Sequence, residues 1–267
     1  MIGRSSLLDE LRQQNPLVHC ITNSVVANFQ ANGLLALGAS PIMADAIEEA
    51  AEVTAFSSSI LLNTGTLNSS TVESMMAAGK SANVNGRPLV LDPVGAGATA
   101  FRKNTVVKLL AELDITLIRG NAGEIAAIAG VEWEAKGVDA GDGKANIVEA
   151  AKDVARSNRC FVAVTGETDI VTDGEQIIRI TGGHPLMTRV TGMGCLLSAV
   201  SAAFLAVSPK SLEAVAHSLA FYKKAGEVAA EQASGPGDFV VHFLNALYRL
   251  DDEAIDIGQM LLEGVVK

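Results

Sequence analysis

Short apolar runs alternate with longer helical stretches along most of this chain. Parallel strands are buried on both faces and are joined by crossover helices, so this alternation is typical of a parallel sheet covered by helices. The sequence therefore predicts an α/β protein with three layers, α/β/α, and a mostly parallel central sheet. The predicted strands are 17–21, 40–43, 60–63, 88–92, 115–119 and 160–165.

Residues 169–180 break this alternation. Two β-rich segments flank Asp173-Gly174, a dipeptide that favours a tight hairpin turn. We expect an antiparallel hairpin at the edge of the sheet. The chain contains no internal repeat, low-complexity tract or linker, and the sequence therefore predicts a single domain over 1–267.

The composition limits the classes of partner. With 49% hydrophobic and 19% charged residues, the chain is expected to fold around a large core. Its formal net charge of −10 argues against nucleic acid or an anionic membrane as a partner. Its longest apolar run, Leu196–Val207, is too short to span a bilayer.

The cysteines and the N-terminal segment indicate a compartment. The three cysteines are widely spaced and suggest neither a disulfide framework nor a zinc site. Residues 1–16 lack the apolar core of a secretory signal. We therefore expect a cytoplasmic protein.

A glycine-rich turn precedes the apolar helix predicted over 195–207. Gly192 and Gly194 permit positive φ angles and a close approach to the backbone, and a helix N-terminus offers free N–H groups and a positive dipole end. Arg119 and Arg189 could add local positive charge. The turn is a candidate phosphate site, with Cys195 at the start of its helix.

Polar side chains lie at the ends of three predicted strands. Asp92 ends one strand, Arg119 ends the next with Glu124 close behind, and Thr165 ends a third. Ligands of parallel sheets gather beyond these carboxyl ends. Two carboxylates suit Mg²⁺, which uses few protein ligands, and the arginine suits a phosphate oxygen. At a further strand end, Thr22-Asn23 reads as the cap of a helix over 25–37.

Six motifs follow one another between about Pro16 and Leu250. They are LVHCITN, ALGASPIM, LDPVGAG, RGNAGEI, VTGETDIVTDG and GGHPLMTRVTGMGC. Together they resemble the hydroxyethylthiazole kinases of the ribokinase-like superfamily. The resemblance implies the ribokinase-like fold and transfer of the ATP γ-phosphoryl group to the primary alcohol of 4-methyl-5-(2-hydroxyethyl)thiazole, in thiamine biosynthesis or salvage.

The resemblance also implies roles for individual residues. The substrate contacts would be Met43, Gly192 and Asn23, the ATP contacts would be Arg119 and Thr165, and the Mg²⁺ ligands, direct or through water, would be Asp92 and Glu124. Family members are similar in forming homotrimers with active sites at subunit boundaries, so Asn23 and Met43 could serve a neighbouring subunit's site.

Cys195 stands where most of the superfamily has a catalytic aspartate. The helix dipole and free N–H groups favour a thiolate there, which could accept the substrate's hydroxyl proton. The alternative is that the N–H groups of the Gly192–Gly194 turn supply most of the catalysis, because phosphoryl transfer needs little help from a base.

Two other functions remain open at the level of sequence. One is a kinase for another heterocyclic alcohol, such as a pyrimidine or pyridoxal. The other is a nucleotide-binding regulator without turnover. Met43 and its apolar surroundings favour a flat, weakly polar ring, and the presence of Asp92, Glu124 and Arg119 favours catalysis over binding alone.

Overall fold

The computed structural model describes residues 7–131, 141–255 and 260–263. Within these ranges nine strands form one sheet in the order β2-β1-β3-β4-β5-β6-β7-β8-β9. The strands are β1 Leu17–Ile21, β2 Ser40–Ile42, β3 Ser59–Asn63, β4 Leu89–Asp92, β5 Leu117–Asn121, β6 Phe161–Thr165, β7 Asp169–Thr172, β8 Ile177–Ile180 and β9 Met260–Glu263.

Helices cover both faces of this sheet. They are α1 Leu7–Gln14, α2 Ala27–Leu37, α3 Ile47–Phe56, α4 Ser69–Val84, α5 Ala100–Glu112, α6 Ala122–Ala129, α7 Gly141–Asn158, α8 Met193–Val207, α9 Leu212–Gln232 and α10 Pro236–Arg249, with 3₁₀ turns at Pro185–Arg189 and Asp252–Ala254. None of the helices within the described ranges combines the length and apolar character needed to cross a membrane.

The core consists of two apolar clusters, one on each face of the sheet. Successive strand residues point to opposite faces, so Val90 joins one cluster while Leu89 and Leu91 join the other. The first cluster packs against α1, α2, α8, α9 and α10, and the second packs against α3 to α7. This arrangement confirms the predicted three-layer α/β/α architecture.

The strands β1 to β6 are parallel, as predicted. The predicted hairpin is present: β7 and β8 pair antiparallel around Gly174, whose φ is +98°. The sheet continues one strand past this hairpin, because β9 pairs antiparallel with β8. The sequence pattern predicts no helix or strand after Leu250, so this outer strand comes from the structure alone.

Several element boundaries differ from their predictions. The sequence pattern also predicts a helix over 104–113, but this helix begins at Ala100, where the Thr99 side chain accepts a hydrogen bond from Arg102 N–H. The pattern predicts a further helix over 145–156, and this helix begins at Gly141. The sequence also predicts a polar surface excursion over 131–143, and most of this segment, including Trp133, lies outside the described residues.

Candidate active site

Polar side chains from five parallel strands meet at the carboxyl edge of the sheet. Asn63 and Asp92 end β3 and β4 directly opposite each other, and Thr165 ends β6. Arg119 lies near the end of β5, and Asn23 follows β1. Because parallel strands all end at one edge, residues far apart in sequence become neighbours there.

Hydrogen bonds and one ion pair join these side chains into one network. Asn23 Nδ2 donates to Asn63 Oδ1 over 2.9 Å, and Asn63 Nδ2 donates to Asp92 Oδ2 over 2.8 Å. Arg119 approaches the same Asp92 oxygen at 4.0 Å and donates to Thr165 Oγ1. The network therefore connects the two predicted ATP-binding residues to a predicted metal ligand and a predicted substrate-binding residue.

Helix α8 covers this network with its first two turns. The Ser198 hydroxyl donates to Asp92 Oδ2 over 2.9 Å, and the thiol of Cys195 lies 3.5 Å from Asn23 Nδ2. Gln30 Nε2 on α2 donates to the carbonyl oxygen of Cys195 over 2.7 Å. The start of α8 is thus held in place by side chains from the strand ends and from α2.

The two glycines of the turn meet different structural requirements. Gly192 is the N-cap of α8 and has a φ of +87°, which disfavours any residue with a side chain. Gly194 lies within the first helical turn, where a Cβ atom would stand 2.8 Å from the guanidinium of Arg119. Gly194 therefore serves close approach rather than a positive φ. Thr188 and Arg189, which precede the turn, are exposed.

Asp92 is the most deeply buried acid of the network, with 1% of its surface exposed. Burial raises its pKa to about 6; the charge of Arg119 opposes this rise and the charge of Glu124 adds to it. The effect of Glu124 is evidence that the two predicted metal ligands are neighbours.

Glu124 itself is half-buried and engaged with the backbone. Its Oε2 accepts from Asn121 N–H over 2.8 Å in a capping box at the start of α6, and its Oε1 accepts from Gly95 N–H over 3.0 Å. This carboxylate thus fixes the loop after β4 against the junction of β5 and α6, and its orientation is determined by both.

The prediction of a thiolate at Cys195 is wrong. Burial and, to a smaller extent, the carboxylate of Asp92 raise the pKa of this thiol to about 11, against smaller opposing effects from Asn63, Arg119 and Asn23. The desolvation of a half-buried thiol next to an acid outweighs the helix dipole, which is worth only about 1 kcal/mol. Cys195 is therefore neutral at physiological pH.

The prediction that Thr22-Asn23 caps the next helix is also wrong. Helix α2 begins four residues after Asn23, and its N-cap is Val26, without a side-chain hydrogen bond. The Asn23 side chain instead points into the network. Met43 lies farther away, half-buried after the edge strand β2, on the other side of β1 from the network.

Sequence analysis did not identify Asn63 and Ser198 as members of the site. Asn63 ends an apolar strand, which is the signal that identified Asp92. Ser198 follows Cys195 by three residues, so both lie on one face of α8. A polar residue at a strand end and a three-residue spacing on a helix are therefore the signals that could have identified Asn63 and Ser198 as site residues.

Comparisons with known proteins agree with this geometry. The family model described as "Hydroxyethylthiazole kinase family" matches residues 8–253. Curated relatives named hydroxyethylthiazole kinase include one from Exiguobacterium sp., 52% identical over 96% of this chain and 98% of the relative, and one from Lysinibacillus sphaericus, 51% identical over 92% and 97%.

Solved structures show the same relationship. A hydroxyethylthiazole kinase from Pyrococcus horikoshii superposes with a TM-score of 0.88 at 39% identity, with all of both chains covered. A pyridoxal kinase from Staphylococcus aureus, at 18% identity and a TM-score of 0.64 over 94% of this chain and 99% of its own, shares the fold. This chain belongs to the hydroxyethylthiazole kinase family.

Proposed function

We propose that this protein is an ATP-dependent kinase that phosphorylates the primary alcohol of 4-methyl-5-(2-hydroxyethyl)thiazole, a reaction of thiamine biosynthesis or salvage. The observation that carries the proposal is the continuous polar network from Asn23 to Thr165 beneath the glycine turn, in a chain that matches the family from 8 to 253.

The turn and Arg119 are proposed to bind the phosphates of ATP. The first N–H groups of α8 have no acceptors within their own helix, and the positive end of the helix dipole lies beside them. The Nε–H of Arg119 is buried and has no hydrogen-bond partner among the described residues. A phosphate oxygen would supply the missing acceptor, with Thr165 fixing the guanidinium from the other side.

We propose Mg²⁺ as the cofactor, held by Asp92 and Glu124. The described residues contain no cluster of three or more acidic, His or Cys side chains suited to a metal cage. Mg²⁺ needs none, since it keeps most of its waters. The two carboxylates repel each other, and a divalent cation would relieve that repulsion. Because both Glu124 oxygens already accept N–H groups, its contact is proposed to run through a metal-bound water. The ion would neutralise charge on the phosphate oxygens.

Cys195 is proposed to bind the substrate hydroxyl as a neutral thiol. With a pKa of about 11, the Cys195 thiol already carries its proton at neutral pH and is therefore a poor acceptor of the hydroxyl proton. Phosphoryl transfer through a loose transition state depends mainly on positioning and charge stabilisation, so backbone N–H groups, Arg119 and Mg²⁺ would supply most of the catalysis. Gly192, Asn23 and Met43 are the proposed substrate contacts.

We also propose a cytoplasmic homotrimer with active sites shared between subunits. Val25 and Ile47, 66% and 40% exposed, are apolar side chains close in sequence to Asn23 and Met43. A subunit contact there would cover them and bring both residues near a neighbouring site. The three free cysteines, two of them buried, agree with a reducing compartment. If light scattering finds a monomer and the same sample is fully active in a kinetic assay, the proposal of a shared site is wrong.

A coupled ADP-release assay tests the function. The acceptors are the hydroxyethylthiazole, a hydroxymethylpyrimidine and pyridoxal, with a reaction lacking any acceptor as the control. We expect the highest kcat/KM for the thiazole alcohol. Higher kcat/KM for another acceptor would reassign the substrate. Nucleotide binding without turnover of any acceptor would favour the regulator.

A further inference from the structure

Lys223 on α9 is a buried lysine in a place that the proposed chemistry does not use. Only 6% of the residue is exposed. Its ammonium donates to three carbonyl oxygens, those of Gly166 at 3.2 Å, Glu167 at 2.9 Å and Gly182 at 3.2 Å. It also forms an ion pair with Asp169 Oδ1 at 3.3 Å. Removing an ammonium from water costs several kcal/mol, and these four contacts compensate for the lost hydration.

The carbonyl groups that Lys223 binds belong to two separate loops. Gly166 and Glu167 lie in the loop that follows Thr165 at the end of β6. Gly182 lies in the segment after β8 that leads through the 3₁₀ turn to the glycine turn at Gly192. The lysine therefore ties the loop of one proposed ATP contact to the segment that approaches the proposed phosphate site.

Neighbouring contacts strengthen the same connection. Asp169 accepts from Gly166 N–H over 2.9 Å, which closes the first loop around the ammonium. Glu227, one helical turn after Lys223, accepts from Gly183 N–H over 3.0 Å in the second segment. Tyr222, the residue before Lys223, donates to the carbonyl oxygen of Met193 over 2.7 Å at the start of α8. One stretch of α9 thus contacts the loop after β6, the segment after β8 and the start of α8.

We infer that Lys223 is a positioning residue of the nucleotide site, where its ammonium fixes the loop after Thr165 relative to the segment leading into the glycine turn. This inference rests on the proposed kinase function and extends it, since it assigns the geometry of ATP binding to a residue that does not touch the nucleotide. Loss of the ammonium frees three carbonyl groups, and the Thr165 loop then moves away from Arg119.

The test uses a double variant, because removing one partner of a buried ion pair leaves an unpaired charge that can unfold the chain. Lys223→Met with Asp169→Asn removes both charges and keeps an amide oxygen for Gly166 N–H. The matched control, Lys80→Met with Glu112→Gln, makes the same kinds of change at an ion pair of 2.9 Å with both side chains at least 40% exposed. Circular dichroism and thermal unfolding establish that both variants are folded.

The readouts are KM for ATP and for the thiazole alcohol, and the Kd of Mg-ADP from calorimetric titration. We expect KM for ATP and Kd for Mg-ADP to rise roughly 10- to 100-fold in the Lys223 double variant, the scale of loss from about 1 Å of misplacement. In the Lys223 double variant, KM for the alcohol stays within about twofold of wild type, because the contacts to the alcohol are not displaced. The control variant matches wild type in all three readouts, because its ion pair does not hold the nucleotide site.

Two results would overturn the inference. One is an unchanged Kd for Mg-ADP in the folded double variant. The other is an equal loss of affinity for ADP and alcohol, which a general loss of structure would produce. Failure of the kinase proposal gives a different result, since wild type would then turn over no acceptor while the ADP titration still reports on Lys223. If wild type also bound no Mg-ADP, both proposals would be refuted.

Discussion

The protonation state of Cys195 can be measured by its rate of alkylation, because only the thiolate reacts. With a pKa of about 11, roughly 0.1% of the thiol is ionised at pH 8, compared with roughly 10% for a thiol at the ordinary value of 9.0. Ionisation alone therefore slows iodoacetamide about 100-fold relative to a free cysteine. The rate is expected to keep rising with pH until about pH 11, without an inflection near 9.

Charge substitutions at two neighbours should move this pKa in opposite directions. Asp92→Asn removes the carboxylate that raises the pKa of Cys195, so alkylation at pH 8 should become faster. Arg119→Met removes a cation that lowers this pKa, so alkylation should become slower. The opposite signs distinguish an electrostatic effect from a general opening of the site, which would accelerate both variants.

The assay is mass spectrometry of the intact protein between pH 7 and 10, with peptide mapping to identify the modified cysteine. Cys195→Ser is the blank. Cys20 and Cys160, buried thiols whose pKa values burial raises to about 12, report any unfolding at high pH. An inflection of the Cys195 rate below pH 9, or slower alkylation in Asp92→Asn, would refute the account of a neutral buried thiol.

Three further predictions concern the glycine turn and the carboxylates. Gly194→Ala places a Cβ atom 2.8 Å from the Arg119 guanidinium, so we expect kcat/KM for ATP to fall by roughly 10²-fold in steady-state kinetics; unchanged kinetics would contradict a close contact there. Glu124→Gln should lower kcat at saturating Mg²⁺ by roughly 10²-fold or more, whereas its cost in urea stability should be only about 1 kcal/mol, since its single amide oxygen can accept one of the two N–H groups that the carboxylate accepts; full turnover would remove Glu124 from the mechanism. Because burial raises the pKa of Asp92 from 3.8 to about 6, the wild-type protein without metal loses stability as pH rises between these values, up to about 3 kcal/mol. Asp92→Asn should therefore be more resistant to urea than wild type at pH 7 and similar to it at pH 3.5, and the opposite order at pH 7 would disprove the burial cost.

Much of the architecture followed from local sequence patterns. The alternation of apolar strands and helices determined the parallel strands β1 to β6, because strands buried on both faces must be continuously apolar. Polar residues after such strands marked the functional edge, since parallel strands all end on one side. Glycines before an apolar helix marked the turn at Gly192. The family resemblance implied that Arg119 and Thr165 both contact ATP, and the hydrogen bond between their side chains is a finding of the structure.

Other features depended on distances that no local pattern contains. The neutral state of Cys195 comes from burial and from Asp92, more than one hundred residues away in sequence, whereas sequence reasoning had considered only its own helix. Asn23 looked like a helix cap until the structure placed Asn63 beside it. Lys223 lies in a long helix whose pattern gives no sign that it binds the loops that follow β6 and β8. Local patterns determine which groups reach the edge of the sheet. Only packing determines which of these groups meet there and how far each is removed from water. Burial and the neighbouring charges then determine the protonation state of each group.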